Sequence, residues 1–491
     1  MNPPDTRRSS EEKRTSGNKT DKKPNRSPGG KRPRRGAGGG SKKRESDKVI
    51  HGLVARQFAG MLVEAVLRHK RAFDEGLSNA ATVAKFAELT PRDRAFARLI
   101  AATVLRHERS LTTVLDKFLQ KPLKVSESPL APVLLVGATQ ILILKTPAHA
   151  AIHLAVEQCK ARRATQRFEK LVNAVLRRVS EQGAEVYSEL DHVRLAMPDW
   201  LWTRWVKTYG EDETRAMVSA ALAVPPIDIS VKSEPKLWAE RLGGQVLQTG
   251  TVRIEGGGRI EEMAGYEDGE WWVQDAAAAL PVRLVADVKG KDVLDMCAAP
   301  GGKTAALVAA GAHVTALDQS EIRLDRLREN LKRLKMSAMC VTGDAAECVP
   351  PDEQKFDVIL VDAPCTATGT IRRHPDIPHL KRPSDVKKLA QLQAKILDNA
   401  VTLIRPGGVL VYCTCSLEPE EGELQIERFL AEHPMFSREP ISSQSDPIID
   451  AEWVTPDGDL RTLPSHLRVE KPELCGLDGF FASRLRHHAE V

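Results

Sequence analysis

An all-α domain followed by a doubly wound, mostly parallel α/β domain is the fold class this sequence predicts. Three observations carry the prediction. Apolar residues recur at helical spacing to about residue 185. From about residue 284, short Val- and Leu-rich runs alternate with helical patterns. The first of those runs enters a glycine-rich turn. Length agrees, since 491 residues exceed one compact core and point to two or three domains.

The chain opens on a basic stretch, 1–48, with 16 Lys/Arg against 6 Asp/Glu, a net of +10. The formal charge of the whole is +6, so the remainder stands at −4. A tail this rich in Gly, Ser, Pro and Asn cannot bury enough apolar surface to fold alone. It reads as a disordered polycation suited to RNA phosphates. Helical spacing then runs through 54–77, 91–119, 130–144, 148–161 and 168–179, an all-α bundle within 49–185. Thr90 before Pro91 marks a helix start, with Thr90 as N-cap. A mixed region, 186–283, follows. Met197-Pro198-Asp199-Trp200 opens a helical stretch to Leu222, residues 227–231 alternate like a strand, and Gly256-Gly257-Gly258 marks a loop. In 284–491, strands are expected at 292–296, 313–317, 357–361 and 409–412, separated by helices at 303–310, 320–334 and 385–405. Ligands of such a sheet bind beyond the carboxyl ends of its strands.

Several classes of protein are disfavoured. No apolar run approaches the length of a bilayer span, which implies a soluble chain with no membrane partner. The polar, basic N-terminus has no secretory-signal pattern. Eight scattered cysteines, without a dense framework or paired CxxC motifs, suit a reducing cytoplasm.

The turn after the first strand reads Cys297-Ala298-Ala299-Pro300-Gly301-Gly302-Lys303-Thr304. Glycines here let backbone approach a ligand closely, with helix N–H groups aimed at it. A nucleotide P-loop is the rival, but it needs glycine where Cys297 stands, and Pro300 has no N–H to offer a phosphate. The second strand ends in Asp318, an acid suited to the two hydroxyls of a ribose. Asp344 and Asp362 follow at the next strand ends. Three acids without a basic phosphate cluster fit S-adenosylmethionine better than NAD or ATP. A helix-capping role competes for Asp344.

Two cysteines stand at expected carboxyl ends of the sheet, Cys365 after Asp362-Ala363-Pro364 and Cys415 after Tyr412-Cys413-Thr414. Cytosine carbon 5 is a poor nucleophile. A thiolate adding to C6 turns C5 into an enamine carbon able to take an activated methyl group. A carboxyl near N3 eases the addition, and a base must then remove the C5 proton. One thiol, one acid such as Asp362 and one base on the same rim suffice. Cys159, Cys340, Cys348, Cys413 and Cys475 read as small buried hydrophobes. Zinc is disfavoured, because Cys413 and Cys415 are too closely spaced and Cys365 lacks a partner at ligand spacing, so no metal is expected. Spacing does not choose between Cys365 and Cys415 as nucleophile.

These residues resemble the Sun family of RNA cytosine-5 methyltransferases. The likeness rests on CAAPGGKT at 297–304, DAPCTATGT at 362–370, the segment Ile371-Arg372-Arg373-His374-Pro375-Asp376, and YCTCSLEPEEGE at 412–423. It extends to Gln274-Asp275 and to GLDGFF at 476–481, covering about 190–488. The segments LTPRDRAFARLIAATVLR at 89–106 and AHAAIHLAVE at 148–157 resemble a NusB-type RNA-binding domain. The pairing is similar to the bacterial branch acting on small-subunit ribosomal RNA, called RsmB or Sun. The resemblance implies a Rossmann-like class I methyltransferase domain behind a NusB-like one. It implies that Cys297 to Lys303, Asp318, Asp344 and Asp362 contact S-adenosylmethionine. It further implies that Cys415 is the nucleophile and that Cys365 assists product release. DNA cytosine-5 enzymes instead use a Pro-Cys cysteine, the position of Cys365. One departure is visible: the family shows Asn where Gly422 follows Glu421.

The expected partner is therefore RNA, foremost 16S ribosomal RNA, with the chain acting as a monomer in the cytoplasm. Transfer RNA and 23S ribosomal RNA are the alternative substrates. A non-catalytic RNA-binding or antitermination factor is the alternative from another class, disfavoured because the glycine-rich turn and the cysteines are intact.

Overall fold

The computed structural model describes residues 52–80, 84–87, 89–255, 259–285, 287–348, 354–444 and 446–488. The basic tail and the Gly256-Gly257-Gly258 loop expected from sequence lie outside the described residues.

Helices occupy the first part: α1 (Leu53–Leu67), α2 (Phe73–Ala80), α3 (Ala84–Ala87), α4 (Pro91–Arg106), α5 (Glu108–Phe118), α6 (Ala131–Leu142), α7 (Ala148–Lys160) and α8 (Glu169–Ser188). α6 is buried along nearly its whole length, which is why its sequence is apolar all round. Close approach to α8 depends on Gly137, where an added Cβ would meet Leu176 at 2.5 Å. Thr90 caps α4 by accepting from the Asp93 amide at 3.1 Å. Two expected helices are broken. The 54–77 pattern is interrupted beyond Arg68, where Lys70 takes a left-handed φ of +53°. The 91–119 pattern breaks at His107, whose ring is held by the Tyr187 hydroxyl at 3.0 Å.

The helices α9 (His192–Ala196), α10 (Asp199–Tyr209) and α11 (Glu211–Leu222) follow. Gly210, at φ +84°, ends α10 and splits the expected single helix, the usual use of a glycine past a helix end. A small sheet comes next, unforeseen beyond its first strand. It comprises β1 (Ile227–Val231), β2 (Gln245–Val246), β3 (Val252–Ile254) and β4 (Trp271–Val273), in the order β2-β3-β1-β4, with α12 (Pro235–Leu242) between β1 and β2.

After α13 (Ala276–Arg283) the chain builds the main sheet: β5 (Asp292–Met296), α14 (Gly302–Ala309), β6 (His313–Asp318), α15 (Glu321–Arg333), β7 (Met339–Thr342), β8 (Phe356–Asp362), α16 (Ile377–Leu380), α17 (Pro383–Leu403), β9 (Ile404–Thr414), α18 (Glu423–Glu432), β10 (Phe436–Arg438), β11 (Leu460–Thr462) and β12 (Phe480–His487). The order is β10-β12-β9-β8-β5-β6-β7, with β11 also on β12. The pairs from β7 through β9 are parallel, while β12 inserts antiparallel beside β9. This is the doubly wound fold the sequence predicts, with an antiparallel end it did not. Alternate residues of the central strands feed two cores. Val293, Val358, Val411 and Cys413 pack with α13, while Leu294, Ile359, Leu410 and Tyr412 pack with α17 and α18.

The stretch after β8 also meets the helical bundle. Phe73 N donates to Asp376 at 2.9 Å, the Arg106 guanidinium to the Arg372 carbonyl at 2.8 Å, and His379 Nε2 lies 2.9 Å from the Leu105 carbonyl. No helix among the described residues is long and apolar enough to cross a membrane.

Candidate active site

Parallel strands deliver the site's residues to one rim. β5 ends at Met296 and the chain turns sharply, with Cys297 at φ +64° and Gly301 at φ +101° before α14 begins. Ala298 N donates to the Leu317 carbonyl at 3.0 Å, tying the turn to the end of β6. Sequence alone reads Gly301 as room for a ligand. In the structure an added Cβ there would meet Leu327 of α15 at 2.8 Å, so glycine is required by conformation and packing.

Asp318 is buried at the end of β6. It accepts from Ala299 N at 3.2 Å and Ser320 N at 3.0 Å, and pairs with Arg323 at 3.1 Å. Asp344 lies exposed just past β7, and its Oδ1 accepts from Ala346 N at 2.9 Å, capping a turn where the sequence offered a helix start. Asp362 ends β8. Its Oδ2 holds Lys303 Nζ at 2.8 Å, so the ammonium expected at the cofactor is engaged by an acid of the neighbouring strand. Burial works to lower the Lys303 pKa, but Asp362 and its neighbours outweigh it and hold the ammonium above the ordinary lysine range. Asp295, inside β5 and missed by sequence reasoning, is fully buried. Its Oδ2 accepts from the Thr304 hydroxyl at 2.6 Å, its Oδ1 has no protein partner, and burial pushes its carboxyl up to about 7.

These residues fit S-adenosylmethionine. The two cations beside the turn, Lys303 and Arg323, are already paired with Asp362 and Asp318. Such surroundings favour a cationic sulfonium over a polyphosphate. The unpartnered, buried Asp295 Oδ1 is an acceptor for a ligand donor.

The two cysteines singled out by sequence come together. Cys365, in the loop after β8, and Cys415, one residue past β9, place their sulfurs 3.5 Å apart. Cys413 is buried in the core of β9, 3.7 Å from Asp362 Oδ1. The hydrogen bond with Cys415 and burial push the Cys365 thiol well above the ordinary thiol range. Burial does the same to Cys413.

Sequence reasoning gave no role to Glu421, Arg461 or the paired Arg372 and Arg373. Glu421 is buried between the cysteine loops. Arg461 donates to the Ser416 carbonyl at 2.6 Å and pairs with Glu423 at 2.7 Å. The departure at Gly422 belongs here, because an added Cβ would stand 2.6 Å from the Arg461 guanidinium. Glycine leaves Arg461 the room to hold the residue after Cys415. Arg372 and Arg373 enter a buried ion cluster. Arg373 meets Asp275 at 2.5 Å, Arg372 meets Asp478 at 2.9 Å, and Arg253 grips Asp228 through two 2.7 Å bonds. The adjacency of Arg372-Arg373 to the Cys365 loop was the one available signal.

Comparisons with known proteins agree with this geometry. The family model described as 16S rRNA methyltransferase RsmB/F matches residues 282–486, and the NusB family model matches 53–181. A Cronobacter sakazakii protein named ribosomal RNA small subunit methyltransferase B is 37% identical over 365 residues, 71% of this chain and 84% of the relative. A protein of the same name from Shigella sonnei is 37% identical over 360 residues, 70% of this chain and 83% of the relative. The crystal structure of PH0851 superposes with a TM-score of 0.68 at 22% identity, covering 88% of this chain and 98% of that one, which shows a shared fold. The turn, the rim and the helical bundle are thus those of a known lineage, and the chain belongs to the RsmB/F family of S-adenosylmethionine-dependent 16S rRNA methyltransferases.

Proposed function

We propose that the chain methylates carbon 5 of a cytosine in 16S ribosomal RNA through a covalent adduct between Cys415 and C6. The observation that carries the reading is the pair of sulfurs 3.5 Å apart on the rim beside Asp362. The Cys415 thiolate adds to C6, forming the S–C6 bond, and the displaced π electrons reach N3, where Asp362 stabilises the added proton. Lys303 holds Asp362 in place for that contact. When bound, S-adenosylmethionine supplies the electrophilic methyl group. Once C5 has gained the methyl and the demethylated thioether is released, N3 gives back its proton, a water molecule takes the C5 proton, the C5–C6 double bond re-forms and the S–C6 bond breaks, returning the Cys415 thiolate. Cys365, adjacent to the departing sulfur, assists this release. Cys297 to Lys303, Asp318, Asp344 and Asp362 line the cofactor.

The helical domain, 49–185, binds the RNA, with Lys160, Arg162, Arg163 and Arg167 as its basic segment and the 1–48 tail adding phosphate contacts. Residues 186–283 extend that surface toward the catalytic domain, 284–491. The chain acts as a monomer in the cytoplasm. The names of the relatives support small-subunit ribosomal RNA as substrate. Mapping 5-methylcytosine in ribosomal and transfer RNA with and without the protein tests that choice.

Two variants test the chemistry. Cys415→Ala is expected to bind cofactor yet form no adduct and no product. Cys365→Ala is expected to add and methylate but to release poorly, so a protein–RNA species accumulates on denaturing gels. The reverse pattern reassigns the nucleophile to Cys365. Full activity in both variants without adducts ends the cysteine mechanism.

A further inference from the structure

Glu421 has no part in the chemistry above, yet its carboxylate is where the two thiol-bearing loops meet. It accepts from Thr366 N at 3.0 Å and from the Thr366 hydroxyl, one residue after Cys365. It accepts from the Ser416 hydroxyl at 2.6 Å, one residue after Cys415. Gln393 of α17 donates to it at 3.0 Å and also to the Pro364 carbonyl at 2.9 Å, bracing the Cys365 loop from behind. The Glu421 main chain is fixed as well, its carbonyl accepting from the Tyr412 hydroxyl at 2.8 Å and from the Thr414 hydroxyl at 3.3 Å. Every group facing the carboxylate is a donor, and a carboxylate is the one side chain that only accepts. Hydrogen bonds to an ionised acceptor are also about twice as strong as neutral ones.

The loops leave the paired strands β8 and β9, tied by Ala363 N to the Cys413 carbonyl and by Gly369 N to the Cys415 carbonyl, both at 3.0 Å; between those ties the stretch after Cys365 and the stretch after Cys415 meet at Glu421. We propose that Glu421 is the positioning residue of this site, holding the Cys365 and Cys415 loops at the separation that lets one thiol attack and the other serve its release. The proposal deepens the cysteine mechanism proposed above and rests on it. The hydrogen bond with Cys415 and burial disfavour a Cys365 thiolate, and the Glu421 charge adds to both.

The test is Glu421→Gln in the full-length chain under reducing conditions. The amide turns an NH2 toward donors and removes the charge, with little change of volume. Cofactor affinity by calorimetry is expected to stay within about two-fold of the parent while kcat falls about 100-fold, the cost of misplacing reacting groups by about 1 Å. KM for RNA is expected to change by no more than about three-fold, because a carboxylate buried beneath the rim makes no uniform contribution to RNA binding. Iodoacetamide labelling, resolved by peptide mass spectrometry, reads the two thiols without turnover. The ratio of Cys365 to Cys415 labelling is expected to rise at least about five-fold once the charge beside Cys365 is gone. A folded Glu421→Gln chain with parental kcat and parental labelling ratio overturns the proposal. If that variant does not unfold cooperatively, Thr366→Val with Ser416→Ala decides, since it keeps the carboxylate and the Thr366 amide bond but removes the two hydroxyl donors, so the tie to the Cys415 loop is gone. There a similar loss of kcat supports the proposal and a parental kcat overturns it. A shifted labelling ratio in Glu421→Gln, alongside adducts that persist in Cys415→Ala, would sink the nucleophile assignment and leave the positioning role standing.

Discussion

Gly369 is the tightest point of the catalytic rim, and its replacement by alanine is expected to disable the site and loosen the fold together. A Cβ at 369 would stand 1.9 Å from the Gly479 carbonyl oxygen and 2.8 Å from the Gly479 Cα. Carbon and oxygen in weak contact sit about 3.3 Å apart, so the two segments must separate by about 1.4 Å. No side chain can rotate away, because the opposing atoms are backbone. The separation breaks two main-chain bonds, Gly479 N to Gly369 O at 2.8 Å and Gly369 N to Cys415 O at 3.0 Å. Overpacking costs about 1–3 kcal/mol and each bond about 1 kcal/mol, giving about 3–5 kcal/mol in all. That corresponds to a melting temperature lower by about 5–15 °C. The same shift pulls on the Cys415 carbonyl, and misplacement on this scale is expected to reduce kcat about 100-fold. Scanning calorimetry and transfer of labelled methyl groups to a ribosomal RNA transcript measure the two effects. A Gly369→Ala chain melting within about 1 °C of the parent and turning over within about two-fold of it would falsify the reasoning from this contact.

Three further perturbations have definite expected outcomes. Gly301→Ala forces a side chain to φ +101° and against Leu327, and is expected to weaken cofactor binding by at least about ten-fold in calorimetry; unchanged affinity would show that the turn tolerates the strain. Burial raises the Asp295 carboxyl from 3.8 to about 7, so between about pH 4 and pH 7 the folded chain keeps a proton that the unfolded chain has released. This group's contribution to stability is therefore lost as pH rises through that window. Asp295→Asn is expected to flatten the slope in urea unfolding, whereas equal slopes would exclude the titration. Deleting residues 1–48 is expected to flatten the salt dependence of RNA binding without moving the methylated nucleotide, and an identical slope would remove the tail from the interface.

What the sequence revealed depended on burial and on chain separation. The central strands were legible because both faces are covered, so Val293-Leu294 and Val358 to Val361 read as apolar runs. β7 was anticipated only through Asp344 at its end and its residues were not delimited, because it is a short edge strand whose Met339 is 47% exposed. The strands of the small sheet are as short as two residues, below the length at which alternation can be counted. Gly210 was a readable stop, but nothing local announces the break at His107, which depends on Tyr187 arriving from another helix. The turn and the two thiols were visible because strand ends put them on one rim. Glu421 was invisible because its role exists only where donors from positions 366, 393 and 416 converge. The resemblance implies a cofactor contact for Lys303, but its pairing with Asp362, 59 residues away, could not be read from the sequence.

The buried ion cluster has a consequence for how such a chain is inherited. Asp228 and Arg253 belong to the small sheet, Asp275 to the entry of α13, Arg372 and Arg373 to the catalytic loop, and Asp478 to the approach to β12. Each charge is neutralised by one encoded far away, and stranding a buried one costs about 3–5 kcal/mol. Recombination that replaced the small sheet alone, or a late truncation that removed Asp478, would orphan charges in the interior. A hybrid enzyme with a crossover inside 228–478 is therefore expected to fold only where both parents carry these charges. The helical bundle faces a looser rule. Three of its bonds to the catalytic half, Phe73 N to Asp376, Arg106 to the Arg372 carbonyl and the Leu105 carbonyl to His379, each use a main-chain atom at one end, and none of them is an ion pair. The lineage is freer to exchange its helical front end than any part of the stretch that carries the ion cluster.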